Sequence, residues 1–234
     1  AAAVALLLAL ACPALAEERI DNFISDVTVN ADASLSARES ITVFAEGNAI
    51  RRGILRDFPT IYTDKRGVRV KAGIEVIEVR RDGRPEPFAI ETLSNGKRIR
   101  IGDKDAYLDR GPHTYEIAYR TTRQIGFFAE FDELYWNVTG NGWTFPIIRA
   151  AVIIRLPPGA RIRQHSAYTG YEGSIASDAA VTAANGSEYR AQTTRRLEAT
   201  EGFTVAVAWQ KGLVTPPGDA DKLKWWVSDN AGYA

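Results

Sequence analysis

The chain has 234 residues, with 29 basic and 29 acidic side chains, one cysteine and no methionine. A formal net charge of zero excludes a general attraction to nucleic acid or to an acidic membrane, so any such binding requires a local patch. The average composition excludes a disordered or fibrous chain. The length suits one large β domain or two small ones.

The first sixteen residues are apolar and precede the first charged side chains, Glu17 and Glu18. Such a run, ending in the small residues that signal peptidase accepts, predicts a signal peptide over residues 1–16 with cleavage before Glu17. Because no methionine is present, we expect the basic start of this peptide to be missing. Cleavage removes Cys12 and leaves a thiol-free chain, although Cys12 could alternatively be a lipoprotein acceptor.

Apolar and polar residues alternate through most of residues 17–212, and no convincing amphipathic helix is evident. In residues 35–45, for example, apolar side chains occupy every second position except at Glu39, which interrupts the pattern. Turn residues follow at intervals of about ten residues, as in a sandwich. The sequence therefore predicts an all-β fold, a β-sandwich of antiparallel strands with Greek-key-like connections. Two β subdomains divided near residues 140–144 remain an alternative.

Several strands and turns can be placed from this pattern. A strand over residues 68–79 changes its apolar parity between Val76 and Ile77, which indicates a β-bulge. Residues 81–84 predict a hairpin, and Asn95-Gly96 predicts a second hairpin with a type I′ turn. The further predicted strands are residues 113–122, 134–138, 147–156, 162–168 and 203–209.

The composition changes in residues 213–234. Two consecutive prolines followed by glycine indicate a linker, after which Lys222 and Lys224 accompany the adjacent Trp225 and Trp226. Indoles and lysines together are typical of chains that meet a membrane surface, so we expect a linker and a juxtamembrane segment. The alternative is a short amphipathic tail that packs on the domain.

Four sequence blocks, at residues 51–59, 101–103, 111–115 and 132–140, together with residues 168–170, resemble a known family. It is the N-terminal region of a predicted bacterial membrane protein family catalogued as domain of unknown function 2207. The resemblance implies a signal peptide and an extracytoplasmic β domain, followed by transmembrane helices and a cytoplasmic part that lie outside this chain. It implies no activity.

Asp132 and Glu133 are adjacent carboxylates, and paired carboxylates are the catalytic groups of most glycoside hydrolases. If both lie on one strand, however, their side chains point to opposite faces and cannot converge on one substrate atom. The alternative is a structural role in which one of them pairs with an arginine.

The same block carries aromatic residues. Tyr135, Trp136 and Trp143 offer flat faces for a sugar or an acyl chain, and Asn137 offers an amide. Tyrosine and tryptophan also fill the cores of β proteins, so both interpretations remain open.

Arg51, Arg52, Arg56 and Asp57 lie in a segment without clear alternation, which predicts a long loop. Three arginines could hold an anionic group, such as a lipid phosphate, a cell-wall polymer or a carboxylate, through forked hydrogen bonds. The alternative is an internal salt bridge from Arg56 or Arg52 to Asp57 or to the Asp132-Glu133 pair.

We expect neither a metal nor a cofactor. Asp103, Asp105 and Asp109 match only part of a calcium-loop pattern, with no glycine at the sixth place and no closing glutamate. His113 and His165 are far apart in the sequence and have no cysteine beside them in the processed chain.

Together these features predict a membrane-tethered extracytoplasmic module of the bacterial cell envelope that binds or senses a ligand and has no assigned catalysis. The expected partners are the membrane, through segments outside this chain, and an envelope glycan, lipid headgroup or protein; no nucleic acid is expected. One alternative is a cell-wall glycan hydrolase or transglycosylase that uses Glu133 or Asp132. Another is a structural partner domain for its own transmembrane helices.

Overall fold

The structure is a computed structural model that describes residues 17–63 and 69–230, so the predicted signal peptide lies outside the described residues. Seventeen strands and one helix form within these ranges, which confirms the all-β prediction. In chain order the elements are β1 (Arg19–Val29), β2 (Leu35–Ala45), β3 (Ile54–Pro59), β4 (Ile61–Thr63), β5 (Arg69–Lys71), β6 (Ile74–Arg81), β7 (Arg84–Pro85), β8 (Phe88–Leu93), β9 (Gly96–Ile101), β10 (Gly111–Thr121), β11 (Ile125–Phe127), β12 (Phe131–Asn137), β13 (Ala150–Arg155), β14 (Ile162–Gly170), β15 (Ala179–Asn185), β16 (Glu188–Thr193), β17 (Gly202–Gln210) and α1 (Asp219–Asn230).

The strands of the described residues form four sheets. The largest has eight strands in the order β15-β16-β13-β1-β2-β10-β6-β7, and a four-stranded sheet has the order β11-β12-β17-β14. Two smaller sheets are β3-β9-β8 and β4-β5. The pairing of β1 with β13 is parallel, whereas the other strand pairs are antiparallel. The prediction of antiparallel strands is therefore wrong for this one pair.

The buried core includes residues of both the large sheet and the four-stranded sheet. The inward residues of β17 alternate along the strand, and Phe203, Val205, Val207 and Trp209 are fully buried. From the neighbouring strand β12, the indole nitrogen of Trp136 donates a hydrogen bond to a hydroxyl on β1 of the large sheet. The sandwich arrangement with Greek-key-like connections stays a prediction.

The possible boundary at residues 140–144 is crossed by strand pairing. β13 follows these residues and pairs with β1, and β17 follows them and pairs with β12. The two halves of the chain therefore share both of the larger sheets.

The predicted strand over residues 68–79 is wrong as one element, because β5 and β6 belong to different sheets. The predicted bulge is confirmed. Ala118 of β10 pairs with Glu78, and Tyr119 pairs with Val76, so Ile77 has no opposite residue. Ile77 is 66% exposed because the bulge turns it away from the core side of the sheet.

Both predicted hairpins form, but only one has the predicted turn. Asp82 and Gly83 have φ of 52° and 77°, as the tight turn between β6 and β7 requires. In the second hairpin Leu93 pairs with Gly96, so Ser94 and Asn95 form the turn and the type I′ assignment to Asn95-Gly96 is wrong. A Cβ on Gly96 would lie 2.0 Å from the Phe58 carbonyl oxygen, so the close approach of β3 requires glycine here.

The alternation pattern does not predict α1. The helix contacts the body of the domain through Arg123, which binds Asp229 and lies over the Trp225 ring. These contacts agree with the alternative of a tail that packs on the domain. Across residues 17–63 and 69–230, no helix has both the length and the apolar character needed to cross a membrane.

Candidate functional site

The candidate site is the surface of the four-stranded sheet that faces away from the core. Successive side chains of β12 point to opposite sides, so Asp132, Leu134 and Trp136 are buried while the residues between them face outward. We call this outward surface the Tyr135 face; it consists of Glu133, Tyr135 and Asn137 of β12, Thr204, Ala206 and Ala208 of β17, and Gln164, Ser166 and Tyr168 of β14.

The register of the strands places small side chains at the centre of the Tyr135 face. Ala206 of the middle strand is opposite Tyr135 on one side and Ser166 on the other, and Tyr168 is opposite Thr204. Ala206 and Ala208 are themselves buried, so the exposed part of this face is formed by the longer side chains of the two outer strands. The ring centroids of Tyr135 and Tyr168 lie 6.4 Å apart with an interplanar angle of 35°. Tyr135 is 58% exposed, so much of its ring is open to a ligand.

Polar groups border the two tyrosines. The Asn137 side-chain oxygen accepts the Gly140 backbone N–H at 2.9 Å, so the amide NH2 group is the part of this side chain that can donate to a ligand. Partial burial, Tyr168 and the charge of Glu133 together raise the pKa of Tyr135. The phenol therefore stays protonated at neutral pH and can donate a hydrogen bond.

The Asp132-Glu133 pair is divided between the two sides of the sheet, as expected for residues on a strand. Asp132 is buried and accepts a hydrogen bond from Lys211 Nζ at 2.8 Å. Its partner is therefore a lysine, and the expectation of an arginine is wrong for Asp132. Because the two carboxylates lie on opposite faces, they cannot act together on one glycosidic bond.

Trp136 and Trp143 are buried and do not contribute to an exposed platform. The Trp136 indole nitrogen donates to Ser25 Oγ at 3.2 Å, and that of Trp143 donates to the Thr139 carbonyl oxygen at 2.9 Å. Both rings belong to the hydrophobic core, which was the alternative interpretation.

Arg56 is buried, and the predicted long loop is wrong for this part of the block because residues 54–59 form β3. Its Nε and Nη2 donate to the two carboxylate oxygens of Glu39 at 2.8 Å each, and Nη1 donates to the carbonyl oxygens of Asp57 and Thr139. The Tyr119 hydroxyl also donates to Glu39, at 2.8 Å. We call this group the Arg56 junction; its arginine is not accessible to a ligand.

The charges of the Arg56 junction depend on one another. Burial alone would lower the pKa of Arg56, but the adjacent Glu39 carboxylate outweighs burial and raises it. Burial and the Glu39 charge both raise the pKa of Tyr119 well above its usual range. Glu39 is the residue that interrupts the apolar alternation of β2. A carboxylate at a core position requires a buried partner. The break in alternation at Glu39 is therefore the feature of the sequence from which a buried ion pair could have been predicted.

Asp57 forms its ion pair with Arg98, at 2.6 and 2.8 Å, rather than with Arg52 or Arg56. The two sequence blocks nevertheless meet beside it. A Cβ on Gly140 would lie 2.9 Å from Arg56 Nη1, and one on Gly142 would lie 3.6 Å from Asp57 Oδ2. The segments 51–59 and 132–143 are thus neighbours through packed contacts.

Arg51 and Arg52 are exposed and contact an exposed tyrosine that sequence reasoning did not single out. Arg52 Nη2 donates to the Tyr107 hydroxyl at 2.8 Å, and its guanidinium lies 4.4 Å from the ring centroid. Arg51 lies over the same ring at 5.7 Å. These arginines are not part of the Tyr135 face.

Other candidate sites are less complete. The described part of the chain contains no group of three or more histidine, cysteine, aspartate or glutamate side chains able to hold a metal ion. An open depression of about 550 Å³ is lined by Arg149, Arg195 and Arg196. Arg195 is paired with Asp178 and Glu201, and Arg196 pairs with a further carboxylate, so most of this positive charge is neutralised internally.

Comparison with known proteins identifies the family to which the chain belongs. Residues 19–209 match the family model described as the N-terminal domain of a predicted membrane protein, DUF2207. The chain belongs to this family. The uncharacterized protein YciQ of Escherichia coli is 28% identical over 201 residues, which cover 85% of this chain and 31% of that protein. The chain thus spans about a third of the length of this curated relative.

Solved structures show a likeness of fold alone. Yeast LTA4 hydrolase in complex with bestatin is similar over 82% of this chain and 28% of its own, with a TM-score of 0.53 and 12% sequence identity. An M1 zinc metallopeptidase from Deinococcus radiodurans covers 81% of this chain and 42% of its own, at 15% identity and a TM-score of 0.46. Identities this low carry no statement about activity.

Proposed function

We propose that this chain is the extracytoplasmic binding module of a membrane protein in the bacterial cell envelope, and that it recognises a glycan at the Tyr135 face. The observation that carries the proposal is the pair of tyrosine rings on this outward surface, Tyr135 and Tyr168, of which Tyr135 is 58% exposed. The signal-peptide pattern of residues 1–16 and the family's description as a predicted membrane protein support the location.

The Tyr135 face combines the two kinds of surface that a sugar ring requires. Tyrosine rings provide flat apolar area against the C–H face of a pyranose, and their hydroxyl groups remain hydrogen-bonding partners. The Asn137 amide and the Glu133 carboxylate border the rings and can bond sugar hydroxyl groups. An aromatic base with a few placed polar groups is a common form of small-molecule site.

Catalysis by the neighbouring carboxylates is not part of the proposal. Glycoside hydrolysis requires two carboxyl groups that flank the same bond, about 5–10 Å apart across the substrate. Asp132 is buried against Lys211 on the other side of the sheet, so Asp132 cannot serve as the second carboxyl group beside Glu133.

The proposal is tested with the chain from Glu17 onward and soluble oligosaccharides of N-acetylglucosamine and of glucose. Calorimetric titration should detect binding of at least one of them, and Tyr135→Ala should weaken it by at least about tenfold because a stacking surface is lost. The control is Tyr107→Ala, because Tyr107 is 64% exposed but lies beside Arg51 and Arg52.

Two outcomes would refute the proposal. Loss of binding in Tyr107→Ala with normal binding in Tyr135→Ala would move the site to the arginine pair and refute the proposal. An absence of binding to every oligosaccharide would also refute it. Neither the parent chain nor Glu133→Gln should cleave purified cell-wall material. Cleavage by the parent chain that Glu133→Gln abolishes would instead support the hydrolase alternative.

A further inference from the structure

The C-terminal helix α1 is held on the domain by one of its faces. Arg123 Nη1 and Nη2 donate to the two carboxylate oxygens of Asp229 at 2.9 and 2.6 Å, and Asp229 is buried. The same guanidinium lies 4.6 Å from the Trp225 ring centroid and donates to the Lys71 carbonyl oxygen at 2.9 Å. This clamp fixes which side of the helix faces the domain.

The opposite side of α1 is apolar and exposed. Leu223, Trp226 and Val227 are 64%, 63% and 54% exposed. They occupy positions i, i+3 and i+4, which lie on one side of an α-helix. We call these three residues the outer strip. Each is a large apolar side chain, and one is a tryptophan, the residue enriched where proteins meet the polar boundary of a membrane.

Lysines border the outer strip on both sides. One residue along a helix corresponds to a rotation of about 100°, so Lys222 and Lys224 project to the left and right of Leu223. Lys222 contacts Asp219 at 3.0 Å, but both side chains are largely exposed, so the pair is weak and the ammonium remains available. The acidic Asp229 is on the clamped side and is neutralised by Arg123. Asp219 and Asp221 of the first turn are exposed, so the exposed charges of the helix balance, and the lysines are the groups beside Leu223 that can approach lipid phosphates.

The size of the outer strip favours a lipid surface over a second copy of the chain. Three side chains of this kind offer a few hundred Å² at most, whereas each partner in a stable dimer buries about 800 Å². The strip is also convex, and a bilayer interface accepts a convex ridge without a matching groove.

We propose that α1 lies on the surface of a lipid bilayer, with Leu223, Trp226 and Val227 inserted at headgroup depth and Lys222 and Lys224 beside the phosphates. The Arg123 clamp joins the helix to β5 through the Lys71 carbonyl, so the domain and the helix bind the membrane as one body. This proposal does not use the Tyr135 face, and it can fail while glycan binding succeeds.

The test measures partition of the chain from Glu17 onward into vesicles of phosphatidylethanolamine and phosphatidylglycerol. Replacement of Leu223, Trp226 and Val227 by serine should lower the partition coefficient at least about tenfold. A matched control replaces Ile77, Ile90 and Ile175 by serine, because these isoleucines are also exposed but lie on the body of the domain. The control should partition as the parent chain does. Circular dichroism shows whether each variant keeps its β fold.

A second measurement distinguishes the two faces of the helix. Brominated lipids quench tryptophans that enter the bilayer, and Trp136, Trp143 and Trp209 are buried in the domain. Quenching should disappear in Trp226→Phe and persist in Trp225→Phe. Equal quenching in both variants, or no quenching in the parent chain, would overturn the proposal. A vesicle-independent dimer that the serine replacements dissociate would overturn it in favour of a second copy.

Discussion

Two pairs of glutamate and tyrosine in this chain have opposite surroundings. Glu39 and Tyr119 are buried, and the Glu39 carboxylate accepts hydrogen bonds from both Tyr119 and Arg56. Glu133 and Tyr135 lie on the outer surface of a sheet, where the tyrosine ring is open. The residue types are the same, and the side of the strand on which they lie decides whether they stabilise the fold or remain available to a ligand.

The largest expected effect is on the Arg56 junction. Glu39→Ala leaves the Arg56 guanidinium buried without its counter-ion, so the free energy of unfolding should fall by about 3–5 kcal/mol. Replacing both residues by apolar ones of similar volume, Glu39→Leu with Arg56→Met, should recover much of that loss. Urea unfolding measures both variants. A loss below about 1 kcal/mol in Glu39→Ala would contradict the assigned role of the pair.

A smaller effect is expected from the two tyrosine hydroxyls. Tyr119→Phe removes a donor to a buried carboxylate and should lower the free energy of unfolding by about 1.5–3 kcal/mol. Tyr135→Phe removes an exposed hydroxyl and should change it by no more than about 0.5 kcal/mol. The same denaturant experiment measures both. Equal effects would show that the two tyrosines are not in different environments.

A third carboxylate, Glu18, is partly buried, and its hydrogen bonds predict that the stability of the domain depends on pH. Burial would raise the pKa of Glu18, but hydrogen bonds from the backbone N–H groups of Ala49, Asn48, Ile50 and Glu46 outweigh burial and lower it. Because the folded pKa is below the ordinary value of 4.5, the stabilisation is present above that pH and is lost as pH falls through the folded pKa.

Glu18→Gln should therefore lose about 1 kcal/mol of stability at neutral pH and show a smaller decline below pH 4.5 than the parent chain. Thermal unfolding at a series of pH values measures the difference. Parallel curves for the two proteins would show that the four backbone N–H groups do not favour the ionised carboxylate.

The smallest expected effect is at Glu133, on the outward surface of the four-stranded sheet. Glu133→Gln should leave the free energy of unfolding within about 0.5 kcal/mol of the parent chain, because Glu133 lies on the outward side of β12 and is only partly buried. A loss of several kcal/mol would place Glu133 among the buried, structural carboxylates with Glu39 and Asp132.

Local pattern predicts much of this fold. Period-two alternation places strands such as β2 and β10, and the change of parity at Ile77 locates the bulge. It also predicts that Asp132 and Glu133 separate across a strand. The helix α1 is not predicted, because its apolar residues are few and its stabilising contact is with Arg123, which is far away in the sequence.

The site is less predictable than the strands. Tyr135 is named from the sequence, but Tyr168 and Ala206 join it only because β12, β17 and β14 are adjacent in one sheet. Arginine and tryptophan are common in binding sites, so residue type alone suggested that Arg56 and Trp136 contact a ligand. Both side chains are nevertheless buried, by strands that are distant in the sequence. Glu39 differs, because a charged residue at a core position of β2 indicates from the local sequence that a buried partner is required.

Binding of a glycan at the Tyr135 face is tested most directly by nuclear magnetic resonance of the chain during addition of the oligosaccharide that binds. The methyl group of Ala206 is the probe of the centre of this face, because Ala206 lies between Tyr135 and Ser166. We expect the Ala206 methyl and the Tyr135 and Tyr168 ring resonances to shift together and to saturate at one affinity. Shifts confined to Tyr107 and its two arginines, with Ala206 unchanged, would contradict this expectation.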